Sequence, residues 1–388
     1  MRKISNKASK IVAIFMVIVL CISGTAFAQT SIQPIEMISC AELAVNSLPT
    51  PEAAKEYAQQ NISRFLSAAV ERGEKTATEI NSMYMGNPFT LYNPDTGNSV
   101  YYFPVFDGSV VYKTLRVYYA NNRYNGILSE MLVEVLNTYM GSASADSPVS
   151  FVVSGDYLYA VNGAEHTEVY CFETGIGEAN PTTTTLTINE EATELVNCAD
   201  VLCTVEYHAA DVSLAAVNNY PNYYYIDVDD YITETQGQLP WCSAYVAAFL
   251  VRVRTGQANG MTASDVMAVC YPNETVAQRQ SHALENSKTT QFYRNQGYSV
   301  DFSMYSRLTE SETVAELIAD RPIHLFTAEA NASGSNHCIA MVGYSFNLNI
   351  WHVWNPWKTF TQDMDMDTIT LDAGNGYYFE WFGQWVVQ

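Results

Sequence analysis

QGQLPWCSAYVAAFLVRVRTG, residues 236–256, is the stretch on which the fold depends. From Cys242 onward its residues are small or apolar until Arg252, and a glycine follows at position 256. We therefore expect a buried helix that begins at Cys242 and has Gly256 as its C-cap. Cys242 then lies at a helix N-terminus, where the backbone N–H groups and the helix dipole favour an anion. That environment lowers the pKa of a thiol and favours a reactive thiolate.

Two later segments supply candidates for the base that a thiolate nucleophile needs and for a group that orients the base. In SNHCIAMVGY (335–344) His337 opens an apolar, strand-like run, and in NIWHVWNPWK (349–358) Asn355 stands between Trp354 and Pro356. Two strands joined by a loop would bring His337 and Asn355 side by side. The amide oxygen of Asn355 would then accept the imidazole N–H and fix the tautomer and the ring plane.

Each of these residues also has a purely structural explanation. A cysteine at a helix start is most often structural, a histidine before an apolar strand often has a partner at the strand end, and Asn-Pro commonly forms a turn. Those explanations do not account for Cys, His and Asn in that order, each in the setting its role requires. The three together favour nucleophilic catalysis. The remaining histidines are weaker candidates: His166, His208, His282, His324 and His352.

The chain before residue 215 has a different character. Apolar residues recur at helical spacing from Pro51 to Glu71, and residues 89–119 predict successive strands with an Asn-Pro-Asp-Thr-Gly turn between the first two. We expect a further helix over 127–140 and two more strands over 149–163. This pattern predicts a helix packed on an antiparallel sheet, an α+β unit. It contains no constellation of histidine, cysteine or carboxylate that suggests chemistry.

The domain boundary is expected near residue 215. A threonine-rich and then acidic, alanine-rich connection starts at residue 181, and a tyrosine-rich strand follows AAVNNYPN (215–222). The remaining segment of about 170 residues has the length of an ordinary single domain.

The first 28 residues are typical of a secretory signal peptide. Basic residues precede an apolar run over 11–22, and Ala26-Phe27-Ala28 predicts cleavage after Ala28. The run is shorter than the about 20 residues that span a bilayer, so we expect a secreted, extracellular protein. The 41 acidic and 19 basic residues give a net charge of −22. Such acidity disfavours nucleic acid or an anionic membrane as a partner.

Of the eight cysteines, Cys21 lies in the signal and seven follow it. Secretion permits disulfides, and an odd number leaves at least one thiol unpaired within a monomer. No CxxC pair and no Cys–His cluster with zinc spacing occurs, so we expect no metal and no cofactor. Besides Cys242, the cysteines whose pairing stays open are Cys40, Cys171, Cys198, Cys203, Cys270 and Cys338.

Four motifs in order resemble the papain-fold cysteine proteases, and most closely the staphopains. They are Gln236-x5-Cys242 with Trp241 before the cysteine, ASDVMAVCYP (263–272), NHCIAMVG (336–343) and WNPW (354–357). The resemblance covers about residues 220–388. It implies a two-lobed domain with a helical lobe and a β-barrel-like lobe, which gives an α+β fold class for the whole chain.

The resemblance implies a role for each matching residue. Cys242 would be the nucleophile, His337 the general acid and base, and Asn355 the group that orients His337. Gln236 would donate its amide to the oxyanion hole together with the backbone N–H of Cys242, which places donors where negative charge develops. Gln238 is a competing candidate whose spacing does not match. Trp357 would cover the contact between Asn355 and His337.

Some positions depart from the family patterns. Papain and its cathepsin relatives carry a cysteine three residues before the nucleophile and an aromatic residue after it, whereas Leu239 and Ser243 stand here. The short spacing from Cys242 to His337 and Asn355 favours the more compact staphopain type. Cys270 and Cys338 have no counterpart in the staphopain pattern. Because side chains alternate along a strand, Cys338 should point away from His337, and we interpret it as a packing residue.

The resemblance also implies a domain order and partners. Residues 1–28 are the signal peptide, 29–215 an inhibitory propeptide and 216–388 the protease domain. The expected partners are polypeptide substrates, the chain's own propeptide as intramolecular inhibitor, and a separate inhibitor protein. Two alternatives remain open: a peptidoglycan amidase or endopeptidase with a Cys-His-Asn site, and a catalytically inert secreted binding protein of the same fold.

Overall fold

The computed structural model describes residues 42–162, 165–174, 192–208, 220–329, 336–368 and 370–388. The predicted signal peptide, most of the predicted connection, the boundary near residue 215 and Cys40 lie outside these ranges. We call residues 42–208 the amino-terminal region and residues 220–388 the carboxy-terminal region. Both fall within one unit, Cys40–Gln388.

The helices of the described residues are, in chain order, α1 Glu52–Glu71, α2 Ala77–Asn81, α3 Val133–Tyr139, α4 Cys242–Thr255, α5 Ala263–Cys270, α6 Val276–Arg279, α7 Asn286–Asn295 and α8 Glu310–Leu317. No helix within these ranges is both long and apolar enough to cross a membrane.

The strands of the amino-terminal region are β1 Ala44–Ser47, β2 Tyr84–Gly86, β3 Phe89–Asn93, β4 Asn98–Asp107, β5 Val110–Ala120, β6 Arg123–Ser129, β7 Ser150–Ser154, β8 Tyr157–Asn162, β9 Glu165–Cys171, β10 Glu194–Asn197 and β11 Val201–Thr204. Those of the carboxy-terminal region are β12 Tyr223–Tyr225, β13 Val300–Met304, β14 Ile323–Glu329, β15 Asn336–Ser345, β16 Ile350–Trp354, β17 Thr361–Asp365, β18 Thr370–Asp372 and β19 Tyr378–Val387.

One antiparallel sheet runs through both regions. Its strands follow the order β11-β2-β4-β5-β6-β17-β16-β15-β14-β19-β13, with β3 beside β4, β12 beside β15 and β18 beside β19. The regions meet at β6 and β17, where Leu128 pairs with Asp363 and Ile127 with Met364. Within the described ranges, two smaller sheets, β1-β10 and β7-β8-β9, belong to the amino-terminal region. The fold is therefore a mixture of helices and sheet in both regions.

Helix α1 packs on the sheet of the amino-terminal region, as the apolar spacing predicted. Ala58, Ile62 and Phe65 are fully buried on one helix face. They share a core with residues of β4, β5 and β6 and with Leu348 and Ile350 of the carboxy-terminal region. The expected α+β character of this region is thus found, and its core extends across the junction between the two regions.

The prediction of a helix over residues 127–140 was wrong in its first half. Ile127 and Leu128 belong to β6, where Leu128 pairs with Leu115 of β5. Leu132 then adopts a left-handed conformation with φ 63°, and the helix begins only at Val133. A short apolar run fits a buried strand as well as a helix. Here the neighbouring strand β5 decides the outcome.

Helix α4 begins at Cys242 and ends at Thr255, and Gly256 caps it with φ 67°. Its residues from 243 to 252 are all buried, including Arg252. Nη1 of Arg252 lies 2.6 Å from a carboxylate oxygen of Glu234 and donates to the carbonyl of Met261 at 2.8 Å. The charge of the buried guanidinium is thereby compensated. The contact with Glu234 also holds the segment before Cys242 against the C-terminal end of α4.

Within the described ranges, three close ion pairs join the two regions, beside a longer one between Arg123 and Asp367 at 4.0 Å. In each, an arginine of the amino-terminal region faces an aspartate of the carboxy-terminal region: Arg64–Asp365 at 3.0 Å, Arg72–Asp363 at 2.7 Å and Arg116–Asp372 at 3.2 Å. Both side chains of the last pair are fully buried. Removal of one partner would leave a buried charge without compensation, which is strongly unfavourable. These pairs therefore tie the regions together.

Candidate active site

The sulfur of Cys242 is held at the first residue of α4. The preceding Trp241 is buried and donates its indole N–H to the carbonyl of Arg279 at 2.8 Å. This contact fixes where the helix begins. Cys242 itself is half-buried, so the thiol is anchored at a helix N-terminus and still meets the adjoining cleft.

The loop before α4 turns sharply and places Gln236 against the same cleft. Gly237 has φ 58°, a left-handed conformation that favours glycine. The backbone N–H of Gln236 donates to the carbonyl of Pro356 at 2.8 Å, and Nε2 donates to the carbonyl of Leu239 at 2.5 Å. An amide has two N–H donors. One proton of Nε2 is thus used to hold the side chain, and the other can serve a ligand.

Gln238, the competing candidate, has a different environment. Its Nε2 donates to the phenolic oxygen of Tyr157 in β8 at 2.9 Å. This contact joins the loop before α4 to the amino-terminal region. The side-chain amide of Gln238 is therefore engaged across the junction between the regions.

His337 and Asn355 are in direct contact. Nε2 of His337 lies 2.9 Å from Oδ1 of Asn355, and the backbone N–H of Trp357 donates to the same oxygen at 3.1 Å. A backbone N–H can only donate, which identifies the Asn355 atom as the acceptor. The proton of the neutral imidazole therefore lies on Nε2, and Nδ1 remains for Cys242.

Aromatic rings cover this contact. The ring of Trp357 stacks on His337 with 3.8 Å between centroids and 15° between planes. Phe379 lies at 5.5 Å from the histidine ring. His337 is only 2% exposed and Asn355 1%. The rings exclude water from the hydrogen bond, which is stronger in a dry environment.

The pKa of the Cys242 thiol is held well below its usual range. The largest cause is a hydrogen bond with the thiol of Cys338. Burial acts in the opposite direction. The hydrogen bond and charge of His337 and the backbone N–H of Cys338 lower the pKa further. The site therefore favours a thiolate on Cys242 beside His337.

The interpretation of Cys338 as a packing residue was incomplete. Cys338 is 2% exposed and belongs to the core, but its thiol also interacts with the side chains of Cys242 and Ser243. Burial, and then the neighbouring Cys242, raise the pKa of Cys338 well above its usual range. Strand alternation alone could not reveal the contact because it is made with the start of α4, which packs against β15.

Comparison with known protein families identifies the carboxy-terminal region. Residues 220–387 match the model of the family described as staphopain peptidase C47. This part of the chain belongs to the staphopain family. The family implies cysteine-type peptidase activity. No curated protein matches the chain.

The staphopain domain and the amino-terminal region together enclose a cleft of about 450 Å³. Cys242, Gln236 and His337 line the side formed by the staphopain domain. The amino-terminal region contributes Phe172 and two carboxylates, Asp156 and Glu173. Burial is the main cause that raises the pKa of both carboxyl groups.

Lys358 follows the WNPW motif and is buried beneath the amino-terminal region. Its Nζ donates to the carbonyl of Phe172 at 2.7 Å and to the hydroxyl of Tyr170 at 3.2 Å. The ammonium also lies 5.0 Å from the centre of the Tyr170 ring. Burial lowers the pKa of Lys358 to about 7. A lysine of the staphopain domain is thus bound by backbone and aromatic groups of the region before it.

Three of the other histidines have structural partners away from the cleft. His324 is fully buried against the hydroxyl of Tyr293 at 2.9 Å. His352 contacts Asp363 at 2.7 Å, and His282 contacts Glu274 at 2.7 Å. His282 lies between α6 and α7. The structure places none of these three among the residues that line the cleft.

Sequence reasoning missed five residues at or near the site: Asp156, Phe172, Glu173, Cys338 and Lys358. Three of them come from the amino-terminal region, which carries no chemical motif. The only available signal was the departure of Cys338 from the family pattern. Their positions depend on long-range packing that a local pattern does not encode.

Proposed function

We propose that the protein is a secreted cysteine endopeptidase that is made as a zymogen. The observation that carries the proposal is the series of contacts from Cys242 through His337 to Asn355 within a cleft of the staphopain domain. We take that domain to be papain-like, with α4, α5 and α7 in a helical lobe and β13 to β19 in a β-barrel-like lobe.

In the proposed reaction the Cys242 thiolate attacks the carbonyl carbon of a peptide bond. The developing oxyanion is stabilised by the free proton of Gln236 Nε2 and by the backbone N–H of Cys242. His337 donates the proton on Nδ1 to the leaving amine, and a thioester remains on Cys242. His337 then takes a proton from water, which attacks the thioester and releases the acid.

Asn355 and Trp357 support this proton transfer. The Asn355 oxygen accepts from Nε2 in both the neutral and the protonated imidazole, so Nδ1 faces Cys242 throughout. A neutral amide is sufficient because the thiolate already balances the charge of the imidazolium. The stacked Trp357 ring holds the imidazole plane.

The amino-terminal region is proposed to be the inhibitory propeptide. Phe172, Asp156 and Glu173 line the cleft, Tyr157 accepts a hydrogen bond from Gln238, and β6 continues the sheet of the staphopain domain through β17. These contacts support a region that restricts access for a polypeptide. Cleavage near residue 215 would allow it to leave.

Labelling and cleavage assays test the proposal. The processed wild-type protein should react with an epoxide inhibitor of papain-like enzymes and should cleave casein. The Cys242→Ala variant should do neither, while a Cys270→Ala variant serves as a matched control with an intact site. Lysis of cell walls without cleavage of casein would refute the endopeptidase. Absence of labelling in the processed wild type would refute a catalytic thiol.

Mass spectrometry of the stored full-length protein tests the zymogen. Wild type should be cut between the amino-terminal region and residue 220, and the comparison with Cys242→Ala shows whether this cut needs the thiol. A processed protein that is no more active than the full chain would count against an inhibitory amino-terminal region.

A further inference from the structure

We propose that Cys242 and Cys338 form a reversible disulfide when hydrogen peroxide reaches the cleft. The pair would then be a site of oxidative modification that protects the nucleophile from permanent damage. The loss and recovery of peptidase activity that this implies rest on the proposed function. The disulfide itself does not, because it needs only the two thiols.

The two cysteines are brought together by packing of α4 against β15. Cys242 is the first residue of α4 and Cys338 the third residue of β15. Cys338 belongs to the core between these two elements and Cys242 packs against that core, where its sulfur interacts with the thiol and the backbone N–H of Cys338. The side chain of one cysteine therefore lies against the backbone and the side chain of the other. A disulfide requires this kind of close approach.

The two thiols differ in exposure and reactivity. Cys242 lines the open cleft, whereas Cys338 is 2% exposed and buried in the core. The pKa is lowered at Cys242 and raised at Cys338. Since the thiolate is the species that reacts with an oxidant, peroxide should oxidise Cys242 first and leave Cys338 as a reduced neighbour.

The chemistry is balanced by hydrogen peroxide as the oxidant. The Cys242 thiolate attacks one peroxide oxygen, the O–O bond breaks, and a sulfenic acid and hydroxide result. The Cys338 sulfur then attacks the sulfenyl sulfur of Cys242. An S–S bond forms, the S–O bond breaks, and the oxygen leaves as water with the Cys338 proton. An added dithiol reduces the disulfide to the two thiols again through thiol–disulfide exchange.

Cys270 is a matched control because it is also buried and lies in the same domain. Its sulfur contacts the carbonyl oxygen of Lys288 at 3.8 Å, and burial raises its pKa to about 11. A Cys270→Ser variant should therefore behave as wild type toward peroxide. If the Cys270 and Cys338 variants responded to peroxide in the same way, the response would reflect the loss of a thiol in general and not the loss of the pair.

The experiment treats the full-length protein with hydrogen peroxide, alkylates the remaining free thiols and digests with chymotrypsin without reduction. Wild type and Cys270→Ser should give a peptide that joins Cys242 to Cys338, with the loss of two hydrogens. Reduction should remove this peptide and restore alkylation of Cys242. These readouts need no peptidase activity, so they separate this inference from the proposed function.

Cys338→Ala and Cys338→Ser test the protective role, with samples compared at equal extents of Cys242 oxidation. In both variants peroxide should oxidise Cys242 to the sulfinic or sulfonic acid, and reduction should not restore alkylation of Cys242. The serine variant preserves size should the alanine variant unfold. Absence of the linked peptide in folded wild type, a disulfide only between two molecules, or equal recovery in wild type and the Cys338 variants would each overturn the inference.

Discussion

His337 contacts Asn355 at 2.9 Å although the two lie 18 residues apart in the chain. The reason is the pairing of β15 with β16, which are antiparallel neighbours. His337 lies near the start of β15 and Asn355 directly after the end of β16. The beginning of one strand and the end of the next meet at the same edge of an antiparallel pair.

Asn355→Ala should lower kcat while KM stays nearly unchanged, because the amide orients the base and binds no substrate. We expect a loss of about 10²-fold, near the lower end of what general acid–base catalysis contributes. Asn347→Ala, in the loop that joins β15 and β16, is the matched control. The measurement is steady-state kinetics of the processed protein on a fluorogenic peptide. An equal loss in both variants would contradict the role of Asn355.

Gln236→Ala and Gln238→Ala should have opposite signatures. Loss of an oxyanion donor lowers kcat by about 10²–10³-fold, which we expect for Gln236. Gln238 hydrogen bonds with Tyr157 of the amino-terminal region, so its variant should retain kcat after processing and be processed faster. Kinetics of the processed proteins and the time course of processing distinguish the two. A larger loss of kcat in Gln238→Ala would exchange the assignments.

Local pattern was enough for much of the staphopain domain. The apolar run after Cys242 predicted α4, and Gly256 predicted its end, because a buried helix and its C-cap are set by neighbouring residues. The apolar run after His337 likewise predicted β15. In the amino-terminal region, the helical spacing before Glu71 predicted α1 for the same reason.

Long-range packing could not be predicted from the sequence. The alignment of β6 with β17, which makes one sheet of both regions, depends on two strands with no shared local signal. The burial of Lys358 and the pairing of Arg116 with Asp372 are equally remote from any motif. Cys338 shows the limit of strand alternation, since that rule gives the face of a residue and not the helix that packs on it.

The reactivity of Cys242 should persist well below the pH at which an ordinary thiol, with a pKa of about 8.5, loses it. Its lowered pKa keeps the thiolate populated, and Cys338→Ala removes the hydrogen bond that is the largest cause. The variant's pKa should therefore rise and its profile move to higher pH. The measurement is the rate of alkylation by iodoacetamide against pH. A profile that does not move would show that Cys338 leaves the thiolate unaffected.

Arg116→Met should destabilise the full chain strongly at neutral pH, because it leaves Asp372 buried without its cation. The expected cost is about 3–5 kcal/mol, and the double variant with Asp372→Asn should recover most of it. The pair Arg123–Asp367 is more exposed and 4.0 Å apart, so Arg123→Met should cost less than about 1 kcal/mol. Urea unfolding measures all four proteins. Equal costs in the two single variants would contradict a buried, compensated pair.

Lys358→Met should remove part of the dependence of stability on alkaline pH. In the folded chain burial lowers the pKa of Lys358 to about 7, whereas an unfolded lysine has a pKa of about 10.4. Between these values the unfolded state binds one more proton, so the contribution of Lys358 to the free energy of unfolding rises with pH, by about 1.4 kcal/mol per pH unit. This gain in the free energy of unfolding is lost as the pH falls toward 7.

Urea unfolding of wild type and Lys358→Met from pH 7 to pH 10 gives the slope of stability against pH for each protein. The titration of tyrosines and cysteines cancels in the difference between the two slopes. Lys288→Met, at a more exposed lysine of α7, is the control and should leave the wild-type slope unchanged. Identical slopes for wild type and Lys358→Met would mean that Lys358 stays protonated beneath the amino-terminal region.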